Sequence, residues 1–178
     1  MIADALPTLA TARLVLRPFR LGDAPMVQRL AGAREIAATT LTVPHPYPDG
    51  AAEEWIATHA AAWAERRGLT LAVTLREDGA LVGAVGLALV MADRRAELGY
   101  WIGVPWWNRG MATEASRGLI DFGFGTLGLH RIMARHMARN EASGRVMQKL
   151  GMAREGVLRD HVLKWGEFED LVVYAVLA

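Results

Sequence analysis

The segment 97–117, ELGYWIGVPWWNRGMATEASR, passes from a strand pattern through a turn into a helix pattern. Its first part, Glu97 to Gly103, is short, aromatic and bounded by glycine, and Pro105 removes a backbone donor and ends the strand. From Met111 onward, apolar residues recur at intervals of three and four, which predicts an amphipathic helix. The chain is therefore expected to turn from a strand into a helix through residues 104–110.

The turn before this helix contains Gly110, whose freedom lets the backbone bend sharply so that N–H groups at the helix start converge on one anion. The helix dipole and the Arg109 guanidinium would help to neutralise a pyrophosphate there. An ordinary strand-to-helix turn explains the same local pattern equally well. A kinase-type phosphate loop is excluded, because neither Gly-Lys-Ser nor Gly-Lys-Thr occurs in the chain.

On both sides of this segment the chain alternates between strand and helix patterns. Strands are predicted at 12–19, 69–76, 81–91, 94–103, 131–138, 152–160 and 167–177, and helices from Asp23, over 49–67, from Met111 and over 141–150. Asp78-Gly79 is typical of a two-residue hairpin turn. The order of elements predicts one mixed α/β sheet with helices on its faces.

The two helices that precede the central segment have recognisable signals. Asp23 is a suitable N-cap for the first, and its predicted buried stripe is Met26, Val27 and Leu30. The second carries an aromatic face that we assign to the core and is expected to end at Gly68. That face consists of Trp55, Ile56, His59 and Trp63.

The composition limits what the protein does. A chain of 178 residues fits one domain, and no apolar run reaches the roughly 18 residues that span a membrane. The first seven residues lack the pattern of a signal peptide, so a cytoplasmic location is expected. The absence of cysteine excludes a disulfide, a thiolate metal site and a cysteine nucleophile. A net charge of +1 with scattered arginines argues against nucleic-acid binding.

Three segments carry a resemblance to a known family. Residues 107–112, WNRGMA, resemble the (Gln/Arg)-x-x-Gly-x-(Gly/Ala) acetyl-CoA signature of GNAT N-acetyltransferases, with Trp107 in place of the first Gln or Arg. The wider GYWI and RGMATEA segments, NEAS at 140–143 and KLGMAREGVLR at 149–159 resemble the RimJ/RimL-like branch. These segments follow the order and spacing of that branch and lie between residues 99 and 159.

The resemblance implies a single GNAT domain over 1–178, with a core of about 12–177, a mostly antiparallel sheet and helices on both faces. It implies acetyl-CoA as the acyl donor and no metal. The cofactor-binding residues that it implies are Ile102, Val104, Arg109, Gly110, Met111, Ala112, Thr113, Asn140 and Ser143. It also implies that the proline-rich loop 43–49, which includes His45, helps to wall the acceptor side; a rigid connector is the alternative.

Acetyl transfer from a thioester to an amine needs a neutral nucleophile, a stabilised oxyanion and a proton for the leaving thiolate. The resemblance implies that Ser143 donates this proton, with Tyr100 and Tyr174 as alternatives because most GNAT relatives use a tyrosine. Asn140 and Ser143 also fit helix capping. A strand that separates from its parallel neighbour would leave unpaired backbone groups near 100–104, and the resemblance implies that these groups bind the pantetheine amides and the acetyl carbonyl.

Glu97 is the candidate general base, because its carboxylate would face the acceptor side if Gly99 and Trp101 share its face of the strand. The alternative is an ion pair with Arg94, Arg95 or an arginine on the next strand, in which case water carries the proton away. His136, on a central strand, is expected to be a core histidine with satisfied hydrogen bonds.

The sequence therefore predicts an N-acetyltransferase that moves an acetyl group directly to a primary amine. RimJ/RimL resemblance implies a protein N-terminal amine, and a small amine such as a polyamine, amino acid or antibiotic is the alternative. An acyl-CoA-binding module without turnover and a nucleotide-phosphate binder are two further alternatives. Exposed strand edges and family habit favour a homodimer.

Overall fold

A computed structural model describes residues 5–178, which form eight strands and five α-helices. The strands are β1 (Leu9–Ala10), β2 (Leu14–Arg17), β3 (Gly68–Leu75), β4 (Leu81–Val90), β5 (Arg95–Ile102), β6 (Arg131–Met137), β7 (Ala153–Lys164) and β8 (Glu167–Leu177). The helices are α1 (Ala24–Ala31), α2 (Arg34–Thr39), α3 (Ala51–Ala64), α4 (Met111–Gly125) and α5 (Glu141–Lys149). Short 3₁₀ turns cover Leu21–Asp23, Met91–Asp93 and Val104–Trp106.

All strands belong to one sheet in the order β1-β2-β3-β4-β5-β6-β8-β7. Every neighbouring pair is antiparallel except β5 and β6, which run parallel. These two strands pair only at Arg95–Arg131, Ala96–Ile132 and Glu97–Met133. Beyond Glu97 they separate, although β5 continues to Ile102 and β6 to Met137. A gap therefore opens in the middle of the sheet.

Helices cover both faces of the sheet, as the mixed α/β prediction requires. On one face Leu87 and Leu98 pack with Ala115 and Leu119 of α4 in the main core. On the other face Ala72 and Leu81 pack with α1 and α3. The alternation of side chains along β4 and β5 delivers apolar residues to both layers, so the sheet is buried from two sides and the predicted fold class is confirmed.

The strand-to-helix transition around Gly110 is confirmed: β5 ends at Ile102 and α4 begins at Met111. The predicted aromatic face of α3 is also confirmed in its main part, because Ile56, His59 and Trp63 are all buried.

Three local predictions about α1 and α3 are wrong. Helix α3 ends at Ala64 and not near Gly68, because Arg66 takes the left-handed conformation (φ 55°) and the N–H groups of Arg66 and Arg67 turn back to the Trp63 and Ala62 carbonyls. Met26 is exposed, since the buried stripe of α1 is Ala24, Val27, Leu30 and Ala31. Asp23 makes no side-chain cap to α1; its carboxylate binds the Arg17 guanidinium at 2.8 and 2.9 Å.

The hairpin between β3 and β4 is present, but its loop is longer than the predicted two residues. Leu75 N–H donates to the Ala80 carbonyl, and Gly79 N–H donates to the Leu75 carbonyl. Four residues, 76–79, therefore lie between the last paired positions. Gly79 takes the left-handed conformation (φ 74°) that favours glycine.

Candidate active site

A cleft of about 830 Å³ occupies the gap between β5 and β6 and extends to both faces of the sheet. On the α4 face it reaches the start of α4, where Gly110 to Thr113 line it. On the opposite face it reaches Thr70, Gly86, Glu97 and Gly99. One continuous space thus joins the helix start to the far side of the sheet.

The start of α4 exposes hydrogen-bond donors to this cleft. Gly110 is the N-cap residue in a left-handed conformation (φ 76°), and it has no side chain to cap the helix. The first helical hydrogen bond runs from Glu114 N–H to the Gly110 carbonyl, so the N–H groups of Met111, Ala112 and Thr113 precede the helical ladder. Their convergence and the helix dipole suit an anion.

The backbone of β5 contributes a second set of groups along the gap. Gly103 N–H donates to the Val82 carbonyl on the β4 side, and alternation along the strand therefore directs Ile102 N–H into the gap. The Ile102 carbonyl accepts from the Trp107 indole N–H at 2.5 Å. Trp107, which stands in place of the Gln or Arg of the signature, thus binds the backbone of β5 through its side chain.

Seven of the nine predicted cofactor-binding residues line the cleft, and two do not. Those that line it are Ile102, Gly110, Met111, Ala112, Thr113, Asn140 and Ser143. Val104 lies in a 3₁₀ turn beside Pro105, which rotates it toward α1 and a separate small pocket with Met26 and Leu30. Arg109 is exposed and outside the cleft lining.

Ser143 and Tyr100 are in contact in the lining of the cleft. The Tyr100 hydroxyl lies 2.7 Å from Ser143 Oγ and 3.3 Å from the Ser143 carbonyl oxygen. Burial raises the pKa of Tyr100 to about 12, against a smaller opposing effect of the Ser143 hydrogen bond. The phenol therefore stays protonated at neutral pH and is available as a hydrogen-bond donor to Ser143.

Tyr174, the other alternative, lies outside this arrangement. Its hydroxyl accepts from Gln148 Nε2 at 3.3 Å, and its ring packs near His136 in the core. Packing is thus the role that the structure gives it.

Asn140 caps α5, as expected. Its Oδ1 accepts from Ser143 N–H at 3.3 Å, and its Nδ2 donates to the Thr39 carbonyl at 3.4 Å. The neighbouring Arg139 donates to the Ala38 carbonyl at 2.8 Å. These bonds fasten the end of α2 over the cleft, so residues 39–43 form its wall. His45 lies outside this wall, against Gly32 and Trp165.

Glu97 lies on the far face of the sheet in an ion pair. Arg135 of β6 donates to both carboxylate oxygens, at 2.9 and 3.0 Å, which is the alternative that places an arginine on the next strand. Glu97, Gly99 and Trp101 all line the cleft, so the predicted common side is confirmed. Each carboxylate oxygen keeps a free lone pair, and a base role for Glu97 remains a prediction.

His136 is buried, but only one of its nitrogens is satisfied. Nδ1 lies 2.8 Å from the Met137 carbonyl oxygen. Nε2 has no hydrogen-bond partner within residues 5–178 and faces Gly144, where an added Cβ would lie 2.9 Å from it. Gly144 therefore makes the room that the imidazole occupies between β6 and α5.

The charges that line the cleft are mostly positive. Arg67, Arg135, Arg145 and Lys149 face one acidic residue, Glu97. Except for Glu97, none of these charges was singled out from the sequence, because they come from three separate parts of the chain: Arg67 precedes β3, Arg135 lies on β6, and Arg145 and Lys149 lie on α5. An alternation pattern on β6 that places Arg135 beside Glu97 was the one available signal.

Other classes of site find no support in the part of the chain described, 5–178. It contains no cluster of three or more His, Asp or Glu residues that could hold a metal ion. Within the same residues, no helix is both long and apolar enough to cross a membrane.

Comparison with known proteins agrees with this site. The model of the acetyltransferase (GNAT) domain matches residues 13–153. YoaA of Bacillus subtilis, an uncharacterized N-acetyltransferase, is 34% identical over 96% of this chain and 97% of its own length. The [ribosomal protein uS5]-alanine N-acetyltransferase of Escherichia coli is 38% identical over 79 residues, which are 44% of this chain and 41% of that enzyme.

Solved structures agree as well. Mycobacterium smegmatis RimJ in complex with CoA-disulfide superposes with a TM-score of 0.88 at 26% identity, covering 100% of this chain and 90% of that one. The match of the domain model and of full-length relatives, on a fold whose sheet parts at the cleft, shows that the chain belongs to the GNAT acetyltransferase family and is an N-acetyltransferase.

Proposed function

We propose that this enzyme transfers the acetyl group of acetyl-CoA to the N-terminal α-amine of a polypeptide. The observation that carries the proposal is the parting of β5 and β6, which joins the donors at the α4 start to the opposite face of the sheet. A donor and an acceptor that enter from the two sides would meet at the gap.

The residues present fit acetyl-CoA. The uncapped N–H groups of Met111 to Thr113 suit its diphosphate. The Ile102 N–H and the α5 residues Asn140 and Ser143 line the path of the pantetheine arm. Structural neighbours bound to coenzyme A or acetyl-CoA support this assignment.

The chemistry follows from positioning and proton transfer. The thioester supplies the acetyl group; the amine nitrogen bonds to its carbonyl carbon, and the carbon–sulfur bond breaks. Ser143 donates its hydroxyl proton to the leaving sulfur while the Tyr100 hydroxyl, which keeps its own proton, donates a hydrogen bond to Ser143 Oγ across their 2.7 Å contact. Glu97, on the acceptor side, takes the proton that the amine loses. Glu97 then releases that proton to solvent, and solvent returns one proton to Ser143. Holding both reactants in line lowers the activation free energy by on the order of 7–11 kcal/mol.

The charges in the cleft favour an acceptor with one amine over a polycation. Glu97 is the sole acidic residue of the cleft within 5–178, and Arg135 already holds it. Polyamines and aminoglycosides need several carboxylates, and the cleft offers them Glu97 alone among residues 5–178. An N-terminal amine followed by neutral peptide groups has no such need. The relative that acetylates an alanine of ribosomal protein uS5 supports the choice.

The test is release of free thiol from acetyl-CoA in the presence of peptides with varied N-terminal residues. Each peptide is paired with an N-terminally blocked copy that keeps a lysine, and spermidine, amino acids and kanamycin are run beside them. We expect release with one class of free N-termini and none with blocked copies. Turnover with small amines alone would contradict the polypeptide acceptor.

A free α-amino acid is the second candidate, because Arg67 lies on the acceptor side of the cleft and could bind an α-carboxylate. Arg67→Gln separates the two: it raises the KM of an amino-acid acceptor at least tenfold and leaves peptide turnover within about twofold.

We also propose that the enzyme is cytoplasmic and forms a homodimer through β7, which is an exposed strand at the edge of the sheet. Sedimentation of the purified protein tests the dimer.

A further inference from the structure

The phosphate turn lacks the side chain that the family signature places there. Trp107 stands at the position of the Gln or Arg, and its indole N–H is committed to the Ile102 carbonyl. Arg109, like Arg13, is exposed and lies outside the cleft lining, whereas Arg145 and Lys149 of α5 line the cleft. The cations available to add to the backbone N–H groups at a doubly charged diphosphate are therefore these two α5 side chains and any guanidinium that lies beside Gly110.

Arg13, which precedes β2, reaches this turn from a distant part of the chain. Its Nη1 donates to the Arg109 carbonyl at 3.0 Å. Its Nη2 has no hydrogen-bond partner among residues 5–178 and lies 3.6 Å from the point where a Cβ on Gly110 would stand. A guanidinium with a free nitrogen therefore lies beside the start of α4.

Glu114, in the first turn of α4, fixes the orientation of that guanidinium. Its Oε2 accepts from Arg13 Nε at 2.7 Å, and its Oε1 accepts from Arg13 N–H and from Thr11 Oγ1, each at 2.7 Å. Burial alone would raise the pKa of Glu114, but the hydrogen bonds from Thr11 and Arg13 outweigh it and lower the pKa. The carboxylate stays charged at neutral pH, and the pair persists.

The contact with the Arg109 carbonyl also sets the turn. A trans peptide points its C=O and its N–H in opposite directions. A guanidinium that holds the Arg109 oxygen on one side therefore holds the Gly110 N–H toward the other side. The same residue fixes the peptide plane and offers a free donor next to it.

We propose that Arg13 is a binding residue for the diphosphate of the acyl donor, which it contacts through Nη2 while it positions the Arg109–Gly110 peptide. The proposal rests on acetyl-CoA as the donor. It assigns to Arg13 the cationic role that Trp107 cannot fill.

The test compares a donor that has the diphosphate with one that lacks it. For Arg13→Gln we expect the KM of acetyl-CoA and the Kd of coenzyme A to rise tenfold or more, with kcat within twofold. The kcat/KM for S-acetylpantetheine should stay within twofold, because that donor ends before the diphosphate. Equal losses with both donors, or no loss with either, would overturn the proposal.

Three further variants make the result specific. Arg76→Gln is the matched control, because Arg76 holds the Thr11 and Ala12 carbonyls of the same segment without reaching the turn; its KM should not change. The double variant Arg13→Gln, Glu114→Gln removes the bare carboxylate; a return of KM to the wild-type value would show that Arg13 only neutralises Glu114. Arg13→Lys, which keeps the charge, carries the comparison of donors if Arg13→Gln does not fold, with a smaller rise of KM.

Binding of coenzyme A to the wild-type protein is measured first by calorimetry. Its absence would contradict acetyl-CoA as the donor. Binding that Arg13→Gln does not weaken would overturn only the role of Arg13. The two failures are therefore distinguishable.

Discussion

The hydroxyl oxygen of Tyr100 lies 2.7 Å from Oγ of Ser143, although the two residues are 43 positions apart in the chain. Tyr100 extends from β5 and Ser143 from the first turn of α5, so the contact joins α5 to the part of β5 that is no longer paired with β6. The two hydroxyl groups thus hold each other in place at the point where the acetyl group would pass from sulfur to nitrogen.

The first prediction concerns Ser143. Ser143→Ala should lower kcat by about 10²-fold or more and change KM of acetyl-CoA little, because a proton donor acts mainly in the transition state. Steady-state kinetics at saturating acceptor measure both constants. An unchanged kcat would leave Ser143 with its backbone role at the Asn140 cap alone.

The second prediction concerns Tyr100. Tyr100→Phe removes one hydrogen bond, and kcat should fall by about tenfold or less. Because Tyr100 acts through Ser143 in this mechanism, the double variant Tyr100→Phe, Ser143→Ala should have a kcat no lower than that of Ser143→Ala alone. A kcat reduced by the product of the two single losses would contradict a shared step. Tyr174→Phe is the control, because that phenol contacts Gln148 and not Ser143.

The third prediction concerns Gly110. Gly110→Trp should abolish coenzyme A binding, because a bulky side chain would fill the phosphate turn and φ is 76° there. The backbone strain itself should cost about 1–3 kcal/mol of stability. Gly79→Trp is the matched control: φ is 74°, its Cβ position is open, and it lies on the β3–β4 loop. We expect both variants to lose similar stability and only Gly110→Trp to lose coenzyme A binding. Retained binding in Gly110→Trp would contradict the phosphate turn.

The fourth prediction concerns Glu97. Glu97→Gln should lower kcat/KM for the acceptor by about 10²-fold or more, because the amide cannot take the proton of the amine. Arg135→Gln, which keeps the carboxylate but removes its partner, should lose much less. A Glu97→Gln enzyme with the wild-type kcat/KM would leave the ion pair as the whole role of Glu97 and assign the proton to water.

The fifth prediction concerns stability and pH at His59. Neither ring nitrogen has a partner within residues 5–178, and burial lowers the pKa to about 4. Below about pH 6.5 the unfolded chain binds a proton that the folded chain does not, so stability falls as the pH drops toward 4. The total loss is about 3 kcal/mol.

Urea unfolding between pH 4 and 7 measures this slope. His59→Phe, which keeps the packing against Trp55 and Phe19, should flatten it, and His161→Gln on the exposed face of β7 should not. Above pH 7, His59 should make no contribution to the pH dependence of the free energy of unfolding. An identical slope in His59→Phe would contradict the shifted pKa.

Local signals made the start of α4 predictable from the sequence, because a glycine and an apolar period lie within a few residues of each other. Helix α2 was missed, since six residues hold too few turns for a periodic stripe. Val104 was expected at the cleft because the family resemblance implies it, but it does not line the cleft, since the 3₁₀ turn at Pro105 rotates it away. The end of α3 was misplaced because Arg66, a residue other than glycine, takes the left-handed conformation that ends the helix before Gly68.

The residues of the site were predictable in proportion to how local their partners are. The Asn140 cap joins positions three apart and was expected from the sequence. The Arg13–Glu114 pair spans 101 positions, and its members carry no periodic mark. The contact of Tyr100 with Ser143 depends on the angle at which β5 leaves β6, which no spacing encodes.

The sheet consists of two parts, β1 to β5 on one side and β6, β8 and β7 on the other, and the three residue pairs between β5 and β6 are the strand pairing that joins them. A ligand lodged in the gap would bridge the two parts much as an added strand does. Amide hydrogen exchange at 98–102 and 134–137 should therefore slow together when coenzyme A binds, while the interior of the β7–β8 hairpin keeps its own rate. The acyl donor would then be a structural tie as well as a reactant.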